Sequence, residues 1–251
     1  MHRPAPGDRL PLLSRRALLR AAALAGCGHG PDVLAPLLYR AGAVALGPRA
    51  RRTHDPRWLV WLAVSNARAT PGLLEGWAPQ TGPHWQSFSR PDLDRDRLRH
   101  KVYVSPLPHA LSAALPVVLR VVVELQVPSI KVGGTAQGVL RPDKLVLHTT
   151  SAARADALAV RLAERLAGLP AQGVPFTGQC DPVGLVSRGT DPPGTSWRAF
   201  VTAVAAAELA AAAAQLPGAR AAEVLELAVT GIAAAGLDST TWQPPRDRVL
   251  L

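Results

Sequence analysis

Apolar and polar positions along this chain change rhythm partway through. Up to about residue 66, apolar residues recur every three to four positions, which predicts helices over 9–26 and 32–46 and a third across Trp58–Asn66. Pro56 stands at the first position of that third helix, where a proline gives up only an N–H that has no intrahelical partner. Residues 69–92 are rich in Pro, Gly, Trp and His and read as a loop. The run 92–100 mixes both charge signs and reads as a solvated helix turn. From residue 101 a period of two takes over. Lys101-Val102-Tyr103-Val104-Ser105 alternates and is β-branched, which predicts a strand; Ser129–Val132, Lys144–His148 and Val183–Val186 predict three more. Helices are predicted between them over 109–126, bounded by Pro106, Pro108 and Pro128, and over 151–168. In the second, Ala155, Leu158, Leu162 and Leu166 share a face that Arg154, Arg161 and Arg165 avoid. Gly173–Gly178 reads as a turn-rich link, and Asp191-Pro192-Pro193-Gly194 breaks the chain. Two Ala-rich helices over 197–216 and 219–235 close it, and there is no internal repeat.

This order predicts an α+β fold: a small mixed or antiparallel sheet, flanked by helices, with a helical N-terminal part. The expected division is a helical subdomain over 1–90 and an α+β domain over 91–251. Composition adds bounds. Apolar residues make up 48% of the chain, so a packed core is available. The formal net charge of +10 points to an anionic partner. The Arg are scattered, with only Arg49, Arg51 and Arg52 clustered, and aromatics are 4%, so no nucleic-acid partner of the base-stacking kind is expected. Cys27 and Cys180 have no CxxC spacing and no His at ligand spacing, so no metal site is expected and a reducing cytoplasm is the expected setting. Outside the N-terminus no run of 18 apolar uncharged residues occurs, so no membrane span is expected. Two readings stand for the N-terminus. Ser14-Arg15-Arg16-Ala17-Leu18-Leu19 with Leu24-Ala25-Gly26-Cys27 looks like an export signal with a lipoprotein box. Arg20 interrupts its apolar stretch, and Leu12, Leu13, Leu18, Leu19, Ala22 and Ala23 fit one face of an amphipathic helix, which is the preferred reading.

Lysine changes the picture most. Of 28 basic residues only three are Lys: Lys101, Lys131 and Lys144, each at or beside a predicted strand. An ammonium can shed its proton when its surroundings favour that, whereas a guanidinium stays charged. The alternation puts Lys101 with Tyr103, and Lys144 with Val146 and His148, on common strand faces; Lys131 lies just before Gly133-Gly134. Arg141 precedes the third strand and Arg188-Gly189 ends the fourth. Were these strands neighbours, one face would carry three Lys, a Tyr, a His and two Arg, and a phosphate group is its natural ligand.

In their order, Lys101-x-Tyr103-Val104-Ser105, Ile130-Lys131-Val132, Lys144–His148 and Val186-Ser187-Arg188-Gly189 resemble the motifs of the phosphothreonine lyase superfamily. The closer likeness is to the lyase-like domains of class III and IV lanthipeptide synthetases and to the Hop-A family of type III effectors; Leu37-Leu38-Tyr39 and Asn66 with Glu75-Gly76-Trp77 are similar to the N-terminal part of the latter. The resemblance implies β-elimination of phosphate from phosphoserine or phosphothreonine in a peptide, leaving a dehydroamino acid, in peptide natural-product maturation. It implies that Lys131 takes the Cα proton, that Lys101 holds phosphate and lowers the pKa of Lys131, and that Arg141 and Arg188, with Lys144, bind phosphate. It implies no cofactor. The chain carries no kinase glycine loop, so a separate kinase-like phosphotransferase is the expected supplier of phosphate. Two positions depart from the pattern. Tyr103 stands where the effectors carry a His that protonates the leaving phosphate, and His148 where an aromatic residue, usually Tyr, ends the strand. Either Tyr103 or His148 then acts as the acid, or the site binds a precursor peptide or partner enzyme without cleaving it.

Overall fold

The computed structural model describes residues 11–44, 76–82, 85–91, 93–94 and 97–243. The predicted third helix, and residues 92, 95 and 96 of the charged run, fall outside these residues. Seven strands form one sheet in the order β1-β2-β4-β5-β3-β7-β6. They are β1 (Ala78–Thr81), β2 (Trp85–Ser89), β3 (His100–Val104), β4 (Ser129–Gly133), β5 (Leu145–Thr149), β6 (Gly178–Gln179) and β7 (Val186–Thr190). The pairs β1·β2, β2·β4, β4·β5 and β3·β5 are antiparallel. The class is α+β, as the alternation predicts.

The division of the chain differs from the expected one at residue 90. One unit comprises residues 43–174 and 179–188; the other comprises 1–42, 175–178 and 189–251. The reason lies in which apolar faces find each other. In the second unit, α1 (Leu12–Gly26), α2 (Pro31–Tyr39), α6 (Trp197–Gln215) and α7 (Ala221–Ala234) share one core. Leu18, Ala21, Leu34, Leu38, Val201, Leu209, Val224 and Ile232 are all buried there. The N-terminal helices thus complete the C-terminal ones instead of forming a subdomain of their own. Helix α6 is long and apolar enough to cross a membrane by length and composition, and Trp197, Val201, Ala205 and Leu209 bury its stripe in this core. Helix α1 is amphipathic, but its buried stripe is Ser14, Leu18, Ala21, Ala22 and Ala25, while Leu12 is 60% exposed. The Ser14 hydroxyl accepts the Phe176 N–H at 3.0 Å, which draws a polar residue into the buried face.

In the sheet unit, α3 (Leu111–Glu124) and α5 (Ala152–Arg165) lie on one face of the strands. Leu111, Leu115, Val118 and Val122 of α3 recur at helical spacing, as do Ala155, Leu158, Ala159 and Leu162 of α5. They pack on Val102, Val104, Ile130, Val132, Leu145 and Leu147 of the sheet. The Ser151 hydroxyl caps α5 by accepting the Arg154 N–H at 3.2 Å.

Three local expectations need correction. The predicted loop 69–92 contains the β1–β2 hairpin; its strands carry few β-branched residues, and β2 is held by its register against β4 while β1 pairs with β2 alone. A short helix, α4 (Ala136–Leu140), follows Gly133-Gly134, with Thr135 as its cap. The strand expected at Val183–Val186 begins only at Val186. The Asp181 carboxylate accepts the N–H groups of Val183 and Leu185 at 2.9 and 3.2 Å, which curls that segment into a turn.

Gly133 seats α4. A Cβ built there would lie 2.5 Å from the carbonyl oxygen of Gly138, a backbone atom that cannot swing aside. Gly133→Ala is therefore expected to destabilise the sheet unit by about 1–3 kcal/mol, as overpacking does. Chemical denaturation of the variant beside the wild type measures it, and an unchanged midpoint contradicts it.

Candidate functional site

The register of four strands builds the site. Across the face away from α3 and α5, one row runs Lys101, His148, Ser129, Ser89, and the next runs Tyr103, Val146, Lys131, Ser87. Alternation sends every second residue to this face, and the intervening Val102, Leu147, Ile130 and Phe88 go to the core side. Lys101 stands directly opposite His148, and Lys131 lies one strand further on and one register step away. Strands spaced by about 4.8 Å put the two lysine backbones roughly 10 Å apart across the sheet, within joint reach of one small anion. Lys131 is exposed, Lys101 half-buried and His148 buried at 6%.

His148 is held neutral. Burial pushes its pKa well below the ordinary value, and the charges of Lys101 and Lys131 push it further, against a hydrogen bond with the Ser129 backbone. Its Nδ1 is buried without a hydrogen-bond partner. A neutral imidazole keeps one N–H but is a far weaker acid than imidazolium, so the expectation that His148 serves as the acid does not fit its surroundings. No ionisation of His148 is then expected near neutrality. The pH–rate profiles of the wild type and of His148→Gln should share one shape between pH 6 and 8; an acid limb near pH 6.5 present only in the wild type would contradict this.

Tyr103 is 3% exposed and packs with Val146 and Val174, with Trp85 against them. Arg141 reaches the same region from the end of α4. Its guanidinium lies 5.2 Å from the Trp85 ring centroid and donates twice to Asp143, from Nε and Nη2, at 2.8 Å each. Stacking and a bidentate pair together hold the fork in one orientation.

Two predicted phosphate ligands stand elsewhere. Lys144 shares the strand face by alternation, but it is fully buried, and its Nζ donates to the Pro106 carbonyl at 2.8 Å and to Gln172 Oε1 at 2.6 Å. The expected convergence of three ammonium groups is therefore one of two, because a burying segment distant in sequence captures the third. Arg188 shares the face of Val186, a core residue, and its guanidinium pairs with Asp156 of α5. That places it on the helix-covered side of the sheet. Trp85 is the site residue that sequence reasoning missed; its only signal is a place in an aromatic-rich stretch read as loop.

No family model matches the sequence, and no curated protein matches it. Among solved structures, the chain is similar to the effector protein from Pseudomonas syringae pv. tomato strain DC3000, at 13% identity and a TM-score of 0.50, over 91% of this chain and 96% of that one. It is more distantly similar to the phosphothreonine lyase SpvC, the effector protein from Salmonella, at 14% identity and a TM-score of 0.39, over 55% of this chain and 91% of that one. For the type III effector/phosphothreonine lyase OspF from Shigella flexneri the figures are 10%, 0.40, and 51% and 76%. The chain has the fold of the Pseudomonas syringae effector.

Proposed function

We propose that this protein is a phosphoserine/phosphothreonine lyase that removes phosphate from a phosphorylated peptide by β-elimination. The observation that carries the reading is the register that sets Lys101 and Lys131 on either side of a neutral His148, on the open face of the sheet. The exposed Lys131 takes the Cα proton. The electron pair released forms the Cα=Cβ bond, the Cβ–O bond breaks, and phosphate departs with its oxygens held by Lys101 and Arg141. Tyr103, which carries an O–H on the same face, donates the proton that the leaving phosphate takes. The motif order extends the reading to a natural-product precursor peptide, phosphorylated by a separate kinase-like phosphotransferase.

The experiment is incubation with a synthetic phosphothreonine peptide, read by mass. Loss of one phosphoric acid from the peptide supports the lyase. A second reading, a lyase-like protein that binds the phosphopeptide and leaves it intact, is favoured by the deep burial of Tyr103. Tight binding with unchanged mass would establish it instead.

A further inference from the structure

We propose that Gln172 is a positioning residue for Arg141: its side-chain amide joins the buried Lys144 ammonium to the carbonyl of Leu140 and so fixes the backbone from which Arg141 projects. This rests on reading the cationic face as a phosphate site. The amide uses both ends. Its oxygen accepts from Lys144 Nζ at 2.6 Å, and its nitrogen donates to the Leu140 carbonyl at 3.0 Å. Its backbone N–H is tied to the Ser105 carbonyl at 2.8 Å, just past the end of β3. Gln172 therefore bridges three segments: the end of β3, the start of β5 and the end of α4. Leu140 is the last residue of α4, and Arg141 follows it in extended conformation.

The helix is held at its start by the Thr135 cap and in its middle by Val139, which is fully buried in the sheet core, so Gln172 acts at its C-terminal end. Helix α4 is five residues long, too short to hold its own geometry in water. Besides its seat against Gly133, its terminal carbonyl receives one more N–H, from Val44 at 3.0 Å. The Arg141 fork is steadied at its tip by Trp85 and Asp143, and Gln172 steadies its base. Lys144 gives the clamp a fixed anchor, because its buried Nζ is also tied to the Pro106 carbonyl at 2.8 Å. A guanidinium displaced by about 1 Å no longer matches two phosphate oxygens at once; it grips them alike before and during departure, so its loss should raise KM more than it lowers kcat.

Two variants separate positioning from folding. Gln172→Leu removes both links. Gln172→Glu keeps the acceptor facing Lys144 and loses the donor facing Leu140, and it should melt close to the wild type. Both are expected to raise KM for a phosphothreonine peptide about tenfold with kcat within about twofold, and to weaken binding of inorganic phosphate to the same extent as KM rises. Unchanged KM and phosphate affinity in Gln172→Glu, with Arg141→Ala impaired, would overturn the proposal. So would equal losses in kcat and affinity, which mark general damage. Phosphate binding needs no turnover. A wild type that binds phosphate without eliminating it sinks the lyase reading and leaves the positioning test intact, whereas a wild type that binds no phosphate overturns the positioning proposal itself.

Discussion

Lys131→Ala is expected to lower the rate of phosphate elimination by about 10²–10⁴-fold, the usual worth of a positioned acid–base group. The side chain is exposed, and its strand is pinned on both edges, by Ser87 of β2 on one side and Val146 of β5 on the other. Removing it should therefore disturb the fold little, and the thermal midpoint should stay within a few degrees of the wild type. Phosphopeptide affinity should fall only modestly, since Lys101 and Arg141 remain. Steady-state rates together with equilibrium binding check both halves. A variant that still eliminates at the wild-type rate removes Lys131 from the chemistry; one that loses only affinity, beside a wild type that never eliminates, favours the binding reading.

The second large effect concerns stability and pH. Burial pulls the Lys144 pKa down to about 7, against the opposing charge of Asp143. The unfolded chain keeps an ordinary lysine near 10.4. Below about pH 7 both states hold the proton and the penalty of the buried ammonium is complete. Between about 7 and about 10 the unfolded state binds more protons, so folding stability rises with pH. The limiting slope is about 1.4 kcal/mol per pH unit, and a gain of roughly 2–4 kcal/mol across the window is expected. Lys144→Met removes this linkage, so the wild-type advantage over Lys144→Met should grow by that amount from pH 7 to pH 10 in urea titrations. Curves that stay parallel would show that Lys144 titrates normally. Met leaves the Pro106 carbonyl and Gln172 Oε1 without their donor, a fixed cost that offsets the curves without tilting them.

What could be read ahead of the structure followed from alternation. The strand faces of Lys101, Tyr103, Lys131 and His148 come directly from the period of two, and strand pairing does the rest. Alternation gives the side of the sheet but not what lies above it. Lys144 sits on the correct side, and Gln172, 28 residues away, takes its ammonium. No local pattern announces such a long-range partner. Arg188 failed for a related reason: Asp181 shifts the strand start, and the face of Val186 decides where its neighbour two residues on must point. The β1–β2 hairpin was illegible because its residues fit a loop as well as an edge, and only β4 decides between them. The charge state of His148 could not be read from composition, because it depends on burial and on two lysines from different strands.

The four-helix core also constrains the order in which the chain can acquire its shape. Helices α1 and α2 emerge from the ribosome well before α6, and the apolar stripe of Trp197, Val201 and Leu209 that covers them is translated some 160 residues later. At about 5–20 residues per second, Leu18, Leu34 and Leu38 wait for many seconds without their partners. During synthesis these two segments are a natural target for chaperones that shield exposed aliphatic side chains, and a chain arrested before residue 197 should be prone to aggregate through them.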